Sequence, residues 1–204
     1  LEFDYKQYPK DHFDIIHSSP PCIYYSNLQN CWIGRKLKGM DRPLTKQDLI
    51  NDIDKFGKPM VDKVREIIDY FKPQYYFIEN PQTGKMKTYI TDLPYYDVDY
   101  CKYSDWGYQK RTRIWTNVIN FKPKICKKDC ENMIISPTQK IHKEKMGSNK
   151  LINDNGKLIR VNTKALRVKY KHAKDCSLNC GGGSNRLMRY RIPPKLIEEL
   201  FECL

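Results

Sequence analysis

The chain has 204 residues, with 37 Lys+Arg against 24 Asp+Glu and a formal net charge of +13, which suits one domain with a real core plus a smaller second unit. Its 40% hydrophobic and 12% aromatic content can fill such a core, so the 30% charged fraction reads as surface and argues against disorder. No stretch approaches the ~20 consecutive apolar residues of a membrane span, and Leu1-Glu2-Phe3-Asp4 lacks the basic-then-apolar layout of a secretory signal; the expectation is an intracellular protein that is neither membrane-bound nor secreted.

In chain order, Phe13-Asp14-Ile15-Ile16-His17 is a short apolar run emptying into Ser18-Ser19-Pro20-Pro21-Cys22, as a buried strand entering a loop would. From Thr45 to Phe71, apolar residues recur three or four apart, the spacing of one helix face, with Gly57 and Pro59 expected to split or kink it. Tyr75-Tyr76-Phe77-Ile78 reads as a second buried strand ending at Glu79-Asn80-Pro81. Strand, helix, strand over this length is a parallel crossover of an α/β sheet. Further strands are expected at about residues 96–102 and 112–118, with Ser104 to Lys110 between them. Pro193-Pro194 opens a helical pattern running to Phe201.

The excess charge is concentrated. Residues 118–180 hold 15 Lys+Arg against 5 Asp+Glu, whereas residues 1–117 hold 18 against 16. Clustered cations gain affinity for a polyanion by releasing its counterions, so nucleic acid is the expected partner, against the plainer reading of a solvated lysine-rich face. Three regions follow: a catalytic α/β region at 1–117, a basic insert at 118–185, and a C-terminal helix at 186–204 returning to the first region.

Ligands of an open α/β sheet collect at the carboxyl ends of its strands. Cys22 follows the first expected strand, Glu79 the second, and Gln109, Arg111 and Arg113 lie at the entry to the last. Each has a dull reading: a buried thiol, a capping carboxylate, ion-pairing arginines. Together they are a thiol, a carboxyl and two guanidinium groups able to converge on one ligand.

Pro20-Pro21-Cys22-Ile23-Tyr24-Tyr25-Ser26 resembles the Pro-Cys loop of the cytosine carbon-5 DNA methyltransferases, Glu79-Asn80-Pro81 resembles their Glu-Asn-Val motif, and Gln109-Lys110-Arg111-Thr112-Arg113 is similar to their Gln-x-Arg-x-Arg motif. Ile192-Pro193-Pro194 is similar to the family's last motif, with Arg189-Tyr190 where Gly-Asn is usual. The style is closest to phage and large-virus members.

The resemblance implies a partial Rossmann-like methyltransferase sheet carrying a small basic target-recognition insert. It implies methyl transfer from S-adenosylmethionine to carbon 5 of a cytosine flipped out of DNA. Cys22 would be the nucleophile at carbon 6 and Glu79 the acid at ring nitrogen 3. Arg111 and Arg113 would support the site, with Arg113 reaching the exocyclic oxygen. Pro20 and Pro21 would lie beside the cofactor, and Ser26 and Gln109 would contact nucleic acid.

The family's Phe-x-Gly-x-Gly loop and acidic ribose ligand have no counterpart ahead of Cys22. The cofactor half of the sheet is therefore expected in a missing N-terminal segment or a second chain, unless activity has been lost; a start at Leu1 without an initiator methionine fits a fragment. Ser19-Pro20-Pro21 also resembles the Ser-Pro-Pro-Tyr loop of exocyclic-amino methyltransferases. That reading, a non-catalytic nucleic-acid-binding module and an RNA substrate remain open alternatives.

Cys126-x-x-x-Cys130 and Cys176-x-x-x-Cys180 near the two ends of the insert form a candidate four-thiolate zinc site, with His142 and His172 as substitutes and unliganded thiols as the plainer reading. Cys31, Cys101 and Cys203 read as packing residues.

Overall fold

A computed structural model describes residues 4–135, 139–143, 149–154, 157–162 and 190–204. The chain forms two compact units: Leu1–Val98 with Arg111–Pro123 and Cys203–Leu204, and Asp99–Lys110 with Lys124–Glu202. Residues 99–110, inside the stretch expected to be catalytic, thus group with the basic region.

The first unit is built on a mixed sheet: β1 (Ile15–Ser18), β2 (Tyr75–Pro81), β3 (Tyr95–Asp99) and β4 (Arg111–Thr116), in the order β1-β2-β4-β3. Strand β1 runs parallel to β2, with Ile15 opposite Tyr75 and Ser18 opposite Ile78. Strand β4 is antiparallel to β2, with Phe77 opposite Thr116 and Pro81 opposite Thr112. The parallel pair requires a long crossover, which the helical segment of residues 46–71 provides.

That segment starts where Thr45 and Asp48 form a reciprocal capping box: Asp48 N donates to Thr45 Oγ1 at 3.2 Å and Thr45 N donates to Asp48 Oδ2 at 2.8 Å. It continues as α1 (Lys46–Asp52), a π-helical stretch at Ile53–Gly57, and α2 (Lys58–Phe71). The interruption has a local cause. Pro59 has no N–H to donate, and its ring cannot pass the carbonyl four residues back, so the chain takes an extra residue into the turn before it. Gly57 lies against the Tyr25 ring, where an added Cβ would come within 3.0 Å of Tyr25 Cζ. Helix α2 ends at Lys72, whose left-handed conformation (φ 47°) lets its N–H reach Ile68 O at 2.8 Å just before Pro73.

The core of this unit gathers Ile78 and Trp115 from the sheet, Ile53 and Val61 from the crossover, and Tyr25, Met86 and Ile90 from the loops, all buried. Ile78 and Trp115 are direct cross-strand partners and so share one sheet face.

In the second unit, the chain leaves the sheet through a tight turn at Tyr100–Lys102, and Tyr100 N donates to Lys110 O at 3.1 Å. Two antiparallel pairs follow: β5 (Met133–Ile135) with β6 (Lys140–His142), and β7 (Asn149–Asp154) with β8 (Lys157–Asn162). Helix α3 (Pro194–Phe201) has Pro194 in its first turn, as the sequence leads one to expect, and buries Leu196 and Leu200. Among the described residues no helix is long and apolar enough to cross a membrane.

Candidate active site

Because Ser18 at the end of β1 lies opposite Ile78, the residues that follow β1 leave the sheet beside Glu79–Pro81, the last three residues of β2. Asn80, 1% exposed, donates from Nδ2 to Pro20 O at 2.8 Å and joins the two exits. Further out, Lys85 N donates to Tyr25 O at 2.8 Å, and Asn27 Nδ2 donates to Thr83 O. Gly84 permits this approach: a Cβ there would meet Pro81 O at 3.1 Å and Tyr25 O at 3.3 Å. The loop of residues 19–27 is therefore strapped to the loop that follows Glu79.

Cys22 is half-buried and opens a turn closed by Tyr25 N donating to Cys22 O at 3.1 Å. Tyr25, 1% exposed, roots that turn in the core. Pro20 is buried and Pro21 exposed. Ser26 caps a short 3-10 helix (Asn27–Trp32), its Oγ accepting from Leu28 N at 3.3 Å. Capping uses the oxygen as acceptor and leaves the hydroxyl hydrogen available to donate.

Glu79 is 4% exposed, a deep position for a carboxyl. In the register of β2 and β4, Glu79 stands opposite Ile114 and Asn80 opposite Arg113. Directly opposed residues share a face and neighbours alternate, so Arg111 and Arg113 project on the Asn80 face and Glu79 on the other. Arg113 donates from Nε to Asp97 Oδ1 and from Nη2 to Asp97 Oδ2, both at 2.8 Å, and its Cζ lies 3.5 Å from the Tyr95 ring centroid. The Asp97 carboxylate raises the pKa of the Arg113 guanidinium above its ordinary value, and the side chain is only 11% exposed. Arg111 is half-buried, and its carbonyl accepts from Gln82 N at 3.1 Å. Gln109 is exposed and belongs to the second unit. Sequence reasoning passes over Asp97 and gives Asn80 and Tyr25 no role of their own inside the motifs, because only strand register and loop packing reveal what these residues hold.

No family model matches the chain. Over 205 residues, covering 99% of this chain and 81% of the relative, it is 38% identical to the "Probable DNA (cytosine-5)-methyltransferase" of Frog virus 3 (isolate Goorha). The chain belongs to the DNA (cytosine-5)-methyltransferase family. The match runs the length of the chain, so the part of this methyltransferase that aligns with the relative includes the segments around Cys22 and Glu79 and the region after β4.

The second unit of the methyltransferase holds another constellation. The ligand atoms of Cys101, Cys126, Cys130 and His142 all lie within 4.8 Å of one another. His142 Nε2 is 3.6 Å from Cys126 Sγ and 3.4 Å from Cys130 Sγ. Cys126, Cys130 and His142 were singled out in the sequence; Cys101, read there as packing, joins them, while Cys176, Cys180 and His172 lie outside the described residues. Burial pushes the Cys101 and Cys130 thiols up and His142 down. Burial also acts to raise Cys126, but hydrogen bonds from the backbone of Lys128 and Asp129 and from the Cys130 and Cys101 thiols together hold that thiol below its ordinary value.

Proposed function

We propose that this chain activates cytosine for methylation at carbon 5 in DNA, with Cys22 as nucleophile and Glu79 as acid. The supporting observation is that the Cys22 loop and the strand end bearing Glu79 are tied together by Asn80, Gly84 and Lys85. Carbon 5 of cytosine is a poor nucleophile. Addition of the Cys22 thiolate forms an S–C6 bond, and the displaced ring electrons collect at N3, where Glu79 delivers a proton. The product is an enamine whose C5 takes up an electrophile, a methyl group or a deuteron; loss of the original C5 proton, return of the N3 proton to Glu79 and expulsion of the Cys22 thiolate then restore the ring. The base must leave the duplex for this geometry to form.

Arg113, fixed by Asp97, serves as a positioning residue. Two of its N–H groups go to Asp97, which fixes the guanidinium on the Asn80 face of the sheet. The basic segment of residues 118–185 is the DNA-contacting and target-recognition element of this reading, together with Ser26 and Gln109.

S-adenosylmethionine is the methyl donor this reading implies. The residues present do not fit it by themselves: Pro20 and Pro21 follow β1, an edge strand of the described sheet, and the loop of residues 19–27 they belong to contains no glycine to cradle a nucleoside. The chemistry assigned to the residues of this chain is therefore activation of the base, at the strand ends of the Rossmann-like sheet that β1 to β4 belong to in this reading.

A donor-independent assay tests the reading. The enamine takes up deuterium at C5 from heavy water, and expulsion of Cys22 returns labelled cytosine, so incubation with duplex DNA should deuterate C5. Products formed with added donor should be 5-methylcytosine; N4-methylcytosine or N6-methyladenine would instead assign the loop to amino methylation. Glu79→Gln should slow C5 exchange by about 10²–10⁴-fold with a near-wild-type urea midpoint. A rate within about threefold of wild type would remove Glu79 from the proton transfer.

A further inference from the structure

We propose that Cys101, Cys126, Cys130 and His142 bind one structural zinc ion in the second unit. Tetrahedral zinc with Zn–S near 2.3 Å and Zn–N near 2.0–2.1 Å places sulfur and nitrogen ligands about 3.6 Å apart. The two S···N separations here are 3.6 and 3.4 Å, and the four ligand atoms lie within 4.8 Å of one another. The three sulfurs are free thiols, not a disulfide with a bystander.

The backbone brings these side chains together by contacts that do not involve sulfur. Cys101 sits in the Tyr100–Lys102 turn, where Asn132 Nδ2 donates to Cys101 O at 2.9 Å and to Ser104 O at 2.7 Å. Cys126 is held by its N–H donating to Asp99 Oδ2 at 2.8 Å, and Lys128, at φ 63°, turns the chain so that Cys130 faces Cys126. Met133 N donates to Cys130 O at 3.2 Å, and Met133 pairs with His142 across β5 and β6, which sets the imidazole beside both sulfurs.

Three thiolates, one neutral imidazole and Zn²⁺ sum to −1, which the lysine-rich segment around them accommodates. Four protein ligands leave no open position for water, so the ion is structural and not catalytic. The apolar alternative is thin: the buried cluster here consists of the three cysteines with Met133 packed against them. A metal supplies the cross-link that so small a core lacks.

The test is metal analysis of the purified chain, prepared without chelator in reducing buffer. About one zinc per chain is expected, and cobalt substitution should give the visible bands and sulfur-to-metal charge transfer of a tetrahedral thiolate site. Cys101→Ser and His142→Ala should each lower zinc affinity by at least about tenfold in a competition with a chromogenic chelator. Exposed Cys31→Ser and the double variant Cys176→Ser/Cys180→Ser should keep full occupancy. No zinc after reconstitution, an octahedral cobalt spectrum, or loss of metal only in the Cys176/Cys180 variant would each overturn the assignment; none of these readouts depends on methyl transfer.

Discussion

Replacement of Cys22 by serine is expected to abolish C5 exchange and methyl transfer, by about 10³-fold or more, while leaving thermal stability near that of the wild type. Serine keeps the size of the side chain but not its acidity: a hydroxyl without a base beside it provides no useful concentration of the anion that must attack C6. Cys22 is half-buried and lies outside the apolar cluster that its neighbour Tyr25 helps to build, so the turn closed by Tyr25 N and Cys22 O has no reason to change. The covalent step can be seen directly. DNA carrying 5-fluorocytosine cannot release the C5 substituent as a proton, so when the methyl donor and the segment that binds it are supplied and carbon 5 has been methylated, the adduct persists and the protein migrates with the DNA on a denaturing gel. Exchange at an undiminished rate in Cys22→Ser, or an adduct mapped by peptide mass spectrometry to another cysteine, would move the nucleophile elsewhere.

Much of this arrangement is legible in the sequence because local rules decide it. The apolar runs before Pro20 and Pro81 announce β1 and β2: β1 ends two residues short of Pro20, and Pro81 is the last residue of β2. Spacing of three and four between Thr45 and Phe71 announces the crossover, and Gly57 with Pro59 announces its break, although not that the break would be a π-helical turn. The proximity of Cys22 to the Glu79 strand end follows from parallel pairing, which the length of the crossover already requires.

What the sequence hides are the relations set by register. Tyr95-Tyr96-Asp97-Val98-Asp99 contains two carboxylates, and nothing local says that Asp97 takes the Arg113 fork while Asp99 accepts from Cys126 N. Nor does the motif reveal that alternation sends Arg113 and Glu79 to opposite faces of the sheet. Cys101 is similarly opaque: it stands alone in an aromatic stretch, and only the turn that leaves β3 carries it to Cys126 and Cys130.

The sheet that positions these groups depends most on Trp115, and Trp115→Ala is expected to destabilise the first unit by about 3–5 kcal/mol, read as a lower urea midpoint. Strands β2 and β4 are the two interior strands, and Trp115 sits on β4 directly opposite Ile78, both at 0% exposure. Truncation leaves a cavity among Ile53, Val61, Ile78, Met86 and Ile90, and it removes the Nε1–H that donates to Ile90 O at 3.2 Å. Trp115→Phe separates these contributions: it retains most of the ring volume and should lose only about 1–2 kcal/mol, chiefly for the unpaired carbonyl. The same face carries Arg113, whose Cζ lies 6.0 Å from the Trp115 ring, and Asn80, which holds Pro20. Trp115→Ala should therefore slow C5 exchange even at temperatures where the protein remains folded, whereas Trp115→Phe should not. A loss below about 1 kcal/mol for Trp115→Ala would show that the interior strands are held by other contacts. Equal slowing by both variants would trace the effect to the indole N–H and not to the support that the ring gives the Asn80 face.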